Sequence, residues 1–277
     1  AGAVGAGVSP GTMVKVVGTS TVDMLIEDAE KLEGKDLRAY CGLAEDSIVP
    51  GYIGIEAGQA AFGDVYAWFS SLLLWPIHEM LPGSSIIDDH LKSKLTEDIS
   101  SRIIREIEQK AMSLTDDADI VALDWFNGRR YPHLNENVKA AISGLNLGST
   151  APEIYRALAE ATVFGSRRVF DSFIDNGINI ERLIMVGGIA KKSPYVMQMM
   201  ADVLQRPVMV CKEEEVPTLG AAIYAAVAAG FYPDVPSAQK ALCEPYNANY
   251  FPNKERLERY NEKYKKYLSL GDYVESM

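Results

Sequence analysis

The sequence predicts an α/β domain, and three patterns predict it. Residues 181–186, 193–204, 207–211 and 217–229 read in turn as strand, helix, strand and helix, the order of parallel βαβ packing. Two short β-branched runs, residues 12–17 (TMVKVV) and 22–26 (VDMLI), flank Gly18-Thr19-Ser20-Thr21 and predict a hairpin. Residues 151–176 form one long helical segment, with Pro152 near its first turn and Asn176-Gly177 at its end. The composition agrees, since 48% of the 277 residues are hydrophobic and 23% are charged, as in ordinary globular chains. A chain of this length buries a core large enough to need no disulfide staples.

The other elements follow in order. The opening AGAVGAGV is a Gly-rich turn with no strand before it. The chain starts at Ala1 without Met and reads as a piece of a longer protein. Residues 31–36 are a polar loop, and residues 47–55 a short strand punctuated by Pro50-Gly51. Between Glu56 and Leu81, residues Ala60, Ala61, Val65, Trp68, Phe69 and Leu72 recur at helical spacing, and Pro82-Gly83 ends the run. Residues 96–114 predict an amphipathic helix with Ile99, Ile103, Ile104 and Ile107 on one face and Thr96 as its N-cap. Residues 119–125 predict a strand leading into a turn-rich loop at 126–132. The tail, residues 252–268, is a charged helix whose Leu257, Tyr260, Tyr264 and Tyr267 mark a face that docks on the body. No internal repeat and no Pro/Gly/Ser linker divides the chain, so one domain is expected.

Charge and cysteine usage exclude several function classes. Lys and Arg number 27 and Asp and Glu 38, for a formal charge of −11. A general nucleic-acid binder needs a basic footprint, which this chain lacks. A nucleotide is not excluded, because a few local donors hold phosphates. Cys41, Cys211 and Cys243 show no CxxC spacing, which argues against a zinc ribbon or a disulfide framework and fits a reducing cytoplasm. The longest apolar runs, such as residues 70–75, fall far short of the ~20 residues that span a bilayer. No signal peptide is read at the start.

Several segments bear on chemistry. No Walker A motif and no GxSxG occurs, and His78, His90 and His133 stand in unrelated contexts, so no protein-built metal site is expected. Gly2, Gly5 and Gly7 approximate GxGxxG, but Pro10 stands where the last Gly belongs, which favours a close-packed turn. Gly18-Thr19-Ser20-Thr21 presents backbone N–H groups and hydroxyls suited to phosphate oxygens, and simple turn chemistry explains the same residues equally well. Val186-Gly187-Gly188-Ile189-Ala190 stands at the carboxyl end of a strand, where open α/β sheets bind ligands, and Lys191, Lys192 and Ser193 then open the helix. Glu56, at the end of a strand-like run, suits a polyol hydroxyl or a helix cap. Trp68 and Phe69 are expected in the core. Residues 124–130 (DWFNGRR) combine a carboxylate with two arginines, for anion recognition or for a structural Asp–Arg lock.

Taken in order, VKVVGTST, IGIEAGQAAFGDVYAWF, LDWFNGRRYP, MVGGIAKKS and PTLGAAIYAAVAAG resemble the C-terminal half of the FGGY family of carbohydrate kinases. The likeness runs from Ala1 to about Gly230, and within the family it is to the members that phosphorylate L-ribulose to L-ribulose 5-phosphate in L-arabinose catabolism. It implies an actin-like, ribonuclease H-like ATPase fold, a mixed sheet flanked by helices. Residues 1–277 are then a C-terminal nucleotide-binding domain, with 252–277 as a helical tail, facing an N-terminal sugar-binding domain of the same polypeptide across a cleft. The implied reaction moves the γ-phosphoryl group of ATP, with Mg²⁺, to a sugar hydroxyl.

Residue by residue, the resemblance implies that Gly18, Thr19 and Ser20 hold phosphates. Gly63, Ala67 and Trp68 lie on the helix bordering ribose and adenine, and Gly187, Gly188 and Lys192 belong to the adenosine motif. Ser193 stands where the family often has an Asn that contacts adenine, and Glu56 is assigned to sugar binding. The family's catalytic Asp lies upstream of the Gly-rich turn, so it is expected N-terminal to Ala1 and the chain alone is expected to be inactive. Two other readings stay open: an actin- or chaperone-like ATPase module, and a nucleotide-binding relic without kinase activity. The DWFNGRR segment has no reason to appear in a filament or chaperone. Whether the Tyr-rich tail packs on its own domain or on a second copy in a homodimer also stays open.

Overall fold

The computed structural model describes residues 1–35, 42–114, 119–244 and 249–277. Its strands are β1 (Thr12–Val17), β2 (Thr21–Glu27), β3 (Gly42–Glu45), β4 (Ile53–Ala57), β5 (Val121–Ala122), β6 (Ile142–Ser143), β7 (Arg182–Val186) and β8 (Val208–Val210). Six of them form a mixed sheet in the order β3-β4-β2-β1-β7-β8, and β5 pairs with β6 apart from it. The hairpin of β1 and β2 is antiparallel, with Val17 opposite Thr21. Both β1–β7 and β7–β8 are parallel, so β1 and β7 end side by side at Val17 and Val186.

The helices are α1 (Gly2–Gly5), α2 (Ala29–Leu32), α3 (Gly63–Trp75), α4 (Asp89–Met112), α5 (Ala151–Asp175), α6 (Gly188–Lys192), α7 (Pro194–Leu204), α8 (Val216–Ala228), α9 (Val235–Leu242) and α10 (Leu257–Glu275). Strand alternation divides the apolar residues between two cores. Met13, Val17, Leu183 and Met185 pack with residues of α3, α5, α7 and α10. Val14, Ile184 and Met209 pack on the other face with residues of α1, α8 and α9. Hence each face of the sheet has a helical layer, and α5 runs through the middle of the larger one. Its start is fixed by a capping box between Thr150 and Glu153.

In α10, Tyr260, Tyr264 and Tyr267 are buried around Phe164 of α5, with ring centroids 6.4, 5.6 and 5.7 Å away. Arg259 and Lys263 close on the buried Glu160 carboxylate at 2.8 and 2.7 Å. This helix therefore packs on its own chain through both rings and charges.

Several elements differ from expectation. The helix expected from Thr96 begins about two turns earlier, at Asp89, with Asp88 accepting a hydrogen bond from the Leu91 N–H at 2.9 Å. The expected 47–55 strand starts only at Ile53, because the chain first turns back so that Asp46 N–H reaches Tyr52 O at 3.0 Å. Of residues 119–125 only Val121–Ala122 pair, since a tight turn follows in which Phe126 N–H bonds Asp124 O at 2.9 Å. The 31–36 loop begins inside α2, and residue 36 lies outside the described residues. The glycines of the opening form α1 against α8, and a Cβ on Gly5 would run into the Val216 carbonyl. Cys211 and Cys243 are free thiols, and Cys41 lies outside the described residues. Among the described residues no helix is long and apolar enough to cross a membrane.

Candidate nucleotide cleft

The adjoining ends of β1 and β7 open into a cleft of about 630 Å³, ample for a small ligand. Its first wall is the β1–β2 hairpin. Gly18 N–H closes the turn onto Ser20 O at 3.0 Å. The carbonyls then bind the start of α3: Gly18 O accepts from Gly63 at 3.0 Å, and Thr19 O from Phe62 and Asp64 at 2.8 and 3.2 Å. A Cβ on Gly63 would stand 2.5 Å from Gly18 O, so this approach requires glycine. Among the described residues nothing bonds the Thr19 N–H or its hydroxyl, and Thr19 lines the cleft.

The second wall follows β7. Gly187 has φ +112°, and a Cβ there would meet Val17 O at 2.5 Å, so glycine lets the chain pass the end of β1. The short helix α6 brings Ile189 and Lys192 to the lining. Ser193 is buried and caps α7, its Oγ accepting from Val196 N–H at 3.1 Å.

The third wall comes from α4 and α5. Glu108 Oε2 accepts from Ser193 Oγ at 2.7 Å and from the Tyr155 hydroxyl at 2.8 Å. Tyr155 packs on Tyr66 and Phe69 with centroids 5.6 and 6.4 Å away. Burial pushes the hydroxyls of Tyr155 and Tyr66 well above their ordinary pKa, which keeps both as neutral donors.

Six of the residues singled out in the sequence meet on this lining: Gly18, Thr19, Gly63, Ala67, Lys192 and Ser193. Ser20, Gly187 and Gly188 shape the turns behind it. Trp68 is 40% exposed and packs its ring 4.7 Å from Phe126, away from the lining, whereas its neighbour Phe69 is in the core. The expectation of a core Trp68 fails because α3 turns that side outward.

Glu56 lies outside the cleft and pairs with Arg130 at 3.2 Å. In the 124–130 segment, Asp124 faces the core and accepts from Gln59 Nε2 at 2.9 Å and from the Tyr267 hydroxyl at 2.7 Å. Burial raises its pKa and these bonds oppose the rise. Arg129 pairs with Glu275 and lies 5.0 Å over the Trp125 ring. The arginines therefore reach other carboxylates, and no Asp124–Arg lock forms.

Sequence reasoning missed Asp64, Tyr66, Arg105, Glu108 and Tyr155 on the lining. Ile104, Arg105 and Glu108 do follow helical spacing, which places them on one side of α4. No local signal marks Tyr155. Among the described residues no group of three or more His, Cys, Asp and Glu lies together to hold a metal ion. The two carboxylates of the lining, Asp64 and Glu108, belong to different walls, so the cleft is not a cation cage of its own.

Curated relatives and solved structures agree on what this architecture is. The chain is 41% identical over 279 aligned positions to a ribulokinase of Vibrio parahaemolyticus, covering 100% of this chain and 48% of the relative. It is 36% identical over 270 positions to a ribulokinase of Bacillus licheniformis, covering 95% of this chain and 46% of the relative. The chain thus spans about half the length of the curated relatives it matches. A xylulose kinase from Rhodospirillum rubrum superposes with TM-score 0.76 at 22% identity, over 99% of this chain and 50% of that one. A Plasmodium falciparum glycerol kinase with ADP gives TM-score 0.66 at 17% identity, over 97% of this chain and 49% of that one. At such identities these two show the fold alone, a central sheet flanked by helices. The profile of the FGGY family of carbohydrate kinases, C-terminal domain, matches residues 13–229. With more than half of its length matched, the chain belongs to the FGGY family of carbohydrate kinases.

Proposed function

We propose that this chain is the nucleotide-binding half of an ATP-dependent carbohydrate kinase whose acceptor is L-ribulose. The observation that carries the nucleotide reading is the cleft itself. Three stretches far apart in sequence bring Thr19, Ala67, Lys192 and Ser193 to one lining at the carboxyl ends of parallel strands. The open Thr19 N–H and hydroxyl suit phosphate oxygens. The apolar side chains of Ile104, Ile189 and Tyr155 on the lining suit a purine and ribose. Mg²⁺ enters as part of the substrate MgATP, held mainly by its phosphates.

Phosphoryl transfer depends on positioning and electrostatic stabilisation at both reacting partners. The relatives are about twice as long as this chain, so we assign sugar binding and the catalytic base mainly to the remaining half of such a kinase. Residues 1–277 alone are then expected to bind nucleotide without phosphorylating sugar. Glu56, with Arg130, is our candidate for a sugar contact from this side. L-ribulose is favoured because the similar curated relatives carry the name ribulokinase.

Calorimetric titration with MgADP tests the nucleotide reading. The wild-type chain should bind, and Ala67→Trp, on the exposed lining of α3, should abolish binding without unfolding. No binding by the wild type overturns the reading. A panel of ketopentoses with the full-length kinase tests the sugar: preference for another ketose removes L-ribulose and leaves the nucleotide site standing.

A further inference from the structure

Glu108, on the α4 side of the cleft lining, has hydrogen-bonding capacity left over. Its Oε2 is filled by Tyr155 and Ser193, at 2.8 and 2.7 Å. Its Oε1 takes no donor from the described residues. The hydroxyls around it are spent. Ser193 donates to Glu108 while accepting from Val196 N–H. Thr162 donates to Ala159 O at 2.9 Å, so the Tyr66 hydroxyl donates to Thr162 Oγ1 at 2.7 Å. Neither tyrosine nor serine has a proton to offer a ligand. Glu108 Oε1 is thus a carboxylate oxygen that accepts and cannot donate.

We propose that Glu108 reads the nucleobase, accepting from the exocyclic N6 amino group of adenine and rejecting 6-oxo purines. The proposal rests on the nucleotide reading above and adds to it the identity of the base and of the residue that selects it. Hypoxanthine puts an acceptor oxygen where adenine has its amine, setting acceptor against acceptor. Guanine presents two adjacent N–H donors, which match a carboxylate with both oxygens free. Here Oε2 is already taken, so one guanine donor loses water without gaining a partner, which costs affinity. Ser193 thus acts on the base through Glu108: it is a positioning residue, and no longer the direct contact expected of an Asn there.

Glu108→Gln is a sharp test, because its carbonyl oxygen still accepts from Tyr155 and Ser193 while its amide replaces the free acceptor with a donor. Calorimetric titrations compare Mg²⁺ complexes of ADP and inosine diphosphate, with thermal unfolding of each variant alongside. The wild-type chain should favour ADP by about tenfold or more. Glu108→Gln should erase or reverse that ratio with little change in unfolding temperature. An unchanged ratio, or equal weakening of both nucleotides, overturns the proposal and leaves the nucleotide site intact. Failure of the wild type to bind ADP overturns the proposal and the nucleotide reading together.

Discussion

Lys15 and Asp23 face each other across the β1–β2 hairpin as a buried ion pair. Lys15 Nζ stands 2.9 and 3.0 Å from the two carboxylate oxygens, and the side chains are 2% and 1% exposed. The ammonium also donates to Thr21 Oγ1 at 3.2 Å and Gln59 Oε1 at 3.3 Å. A pair so placed has lost its hydration, and its value lies in mutual satisfaction. Lys15→Met alone should cost about 3–5 kcal/mol, because it leaves Asp23 buried and unpaired. Adding Asp23→Leu should recover most of that loss. Urea unfolding of the single and double variants checks this, and equal losses in both would show that packing dominates.

Asp124 gives the chain a pH dependence of definite sign. Burial raises its carboxyl pKa from 3.8, against the bonds from Gln59 and Tyr267. The folded state therefore holds this proton more tightly than the unfolded state, so stability from this group falls as pH rises from about 4 through the folded value. Asp124→Asn removes that titration. Urea midpoints measured between pH 4 and pH 7 should fall less steeply for the variant than for the wild type. Parallel curves would remove Asp124 from the account.

The parallel unit of β7, α7, β8 and α8 is legible because its strands are buried runs and its helices are punctuated by Gly187, Ser193 and Pro217. The β1–β2 hairpin is legible for the same reason, with Gly18 at the turn. The start of α4 is not, because Leu91 and Leu95 of its first turns stand among charged residues and are exposed, so they give little of the apolar face seen from Ile99 onward. Periodicity also places Trp68 on a helix without saying whether that face meets the core. Glu108 was beyond reach from the sequence, since its role depends on Ser193 and Tyr155, 85 and 47 positions away. Tertiary packing alone brings those donors to one oxygen.

Ser193 has two structural duties that separate on substitution. Ser193→Ala removes the cap on α7 and should cost about 1 kcal/mol in unfolding free energy. Ser193→Asn keeps a side-chain oxygen at the cap and should stay within about 0.5 kcal/mol of the wild type, since Asn and Ser cap comparably. Urea denaturation of both variants checks the difference. Equal losses would mean that the contact with Glu108, not the cap, sets the stability of this turn.

Gly63 and Gly188 both border the turns behind the cleft, yet only one of them should resist a methyl group. A Cβ on Gly63 would stand 2.5 Å from the Gly18 carbonyl oxygen and 2.8 Å from Ile189 Cδ1, and the first of these belongs to backbone that cannot swing aside. Gly63→Ala must therefore push the hairpin off α3, at a cost of about 1–3 kcal/mol. It should also lose MgADP binding, because Thr19 moves with the hairpin. A Cβ on Gly188 meets nothing within 4 Å, and its φ lies outside the left-handed region. Gly188→Ala should hold or raise stability by about 0.4–1 kcal/mol, through the lower entropy of the unfolded chain, and keep nucleotide affinity. If Gly63→Ala binds MgADP as the wild type does, the close approach of hairpin and helix is dispensable, and the phosphate-binding role of Thr19 falls with it.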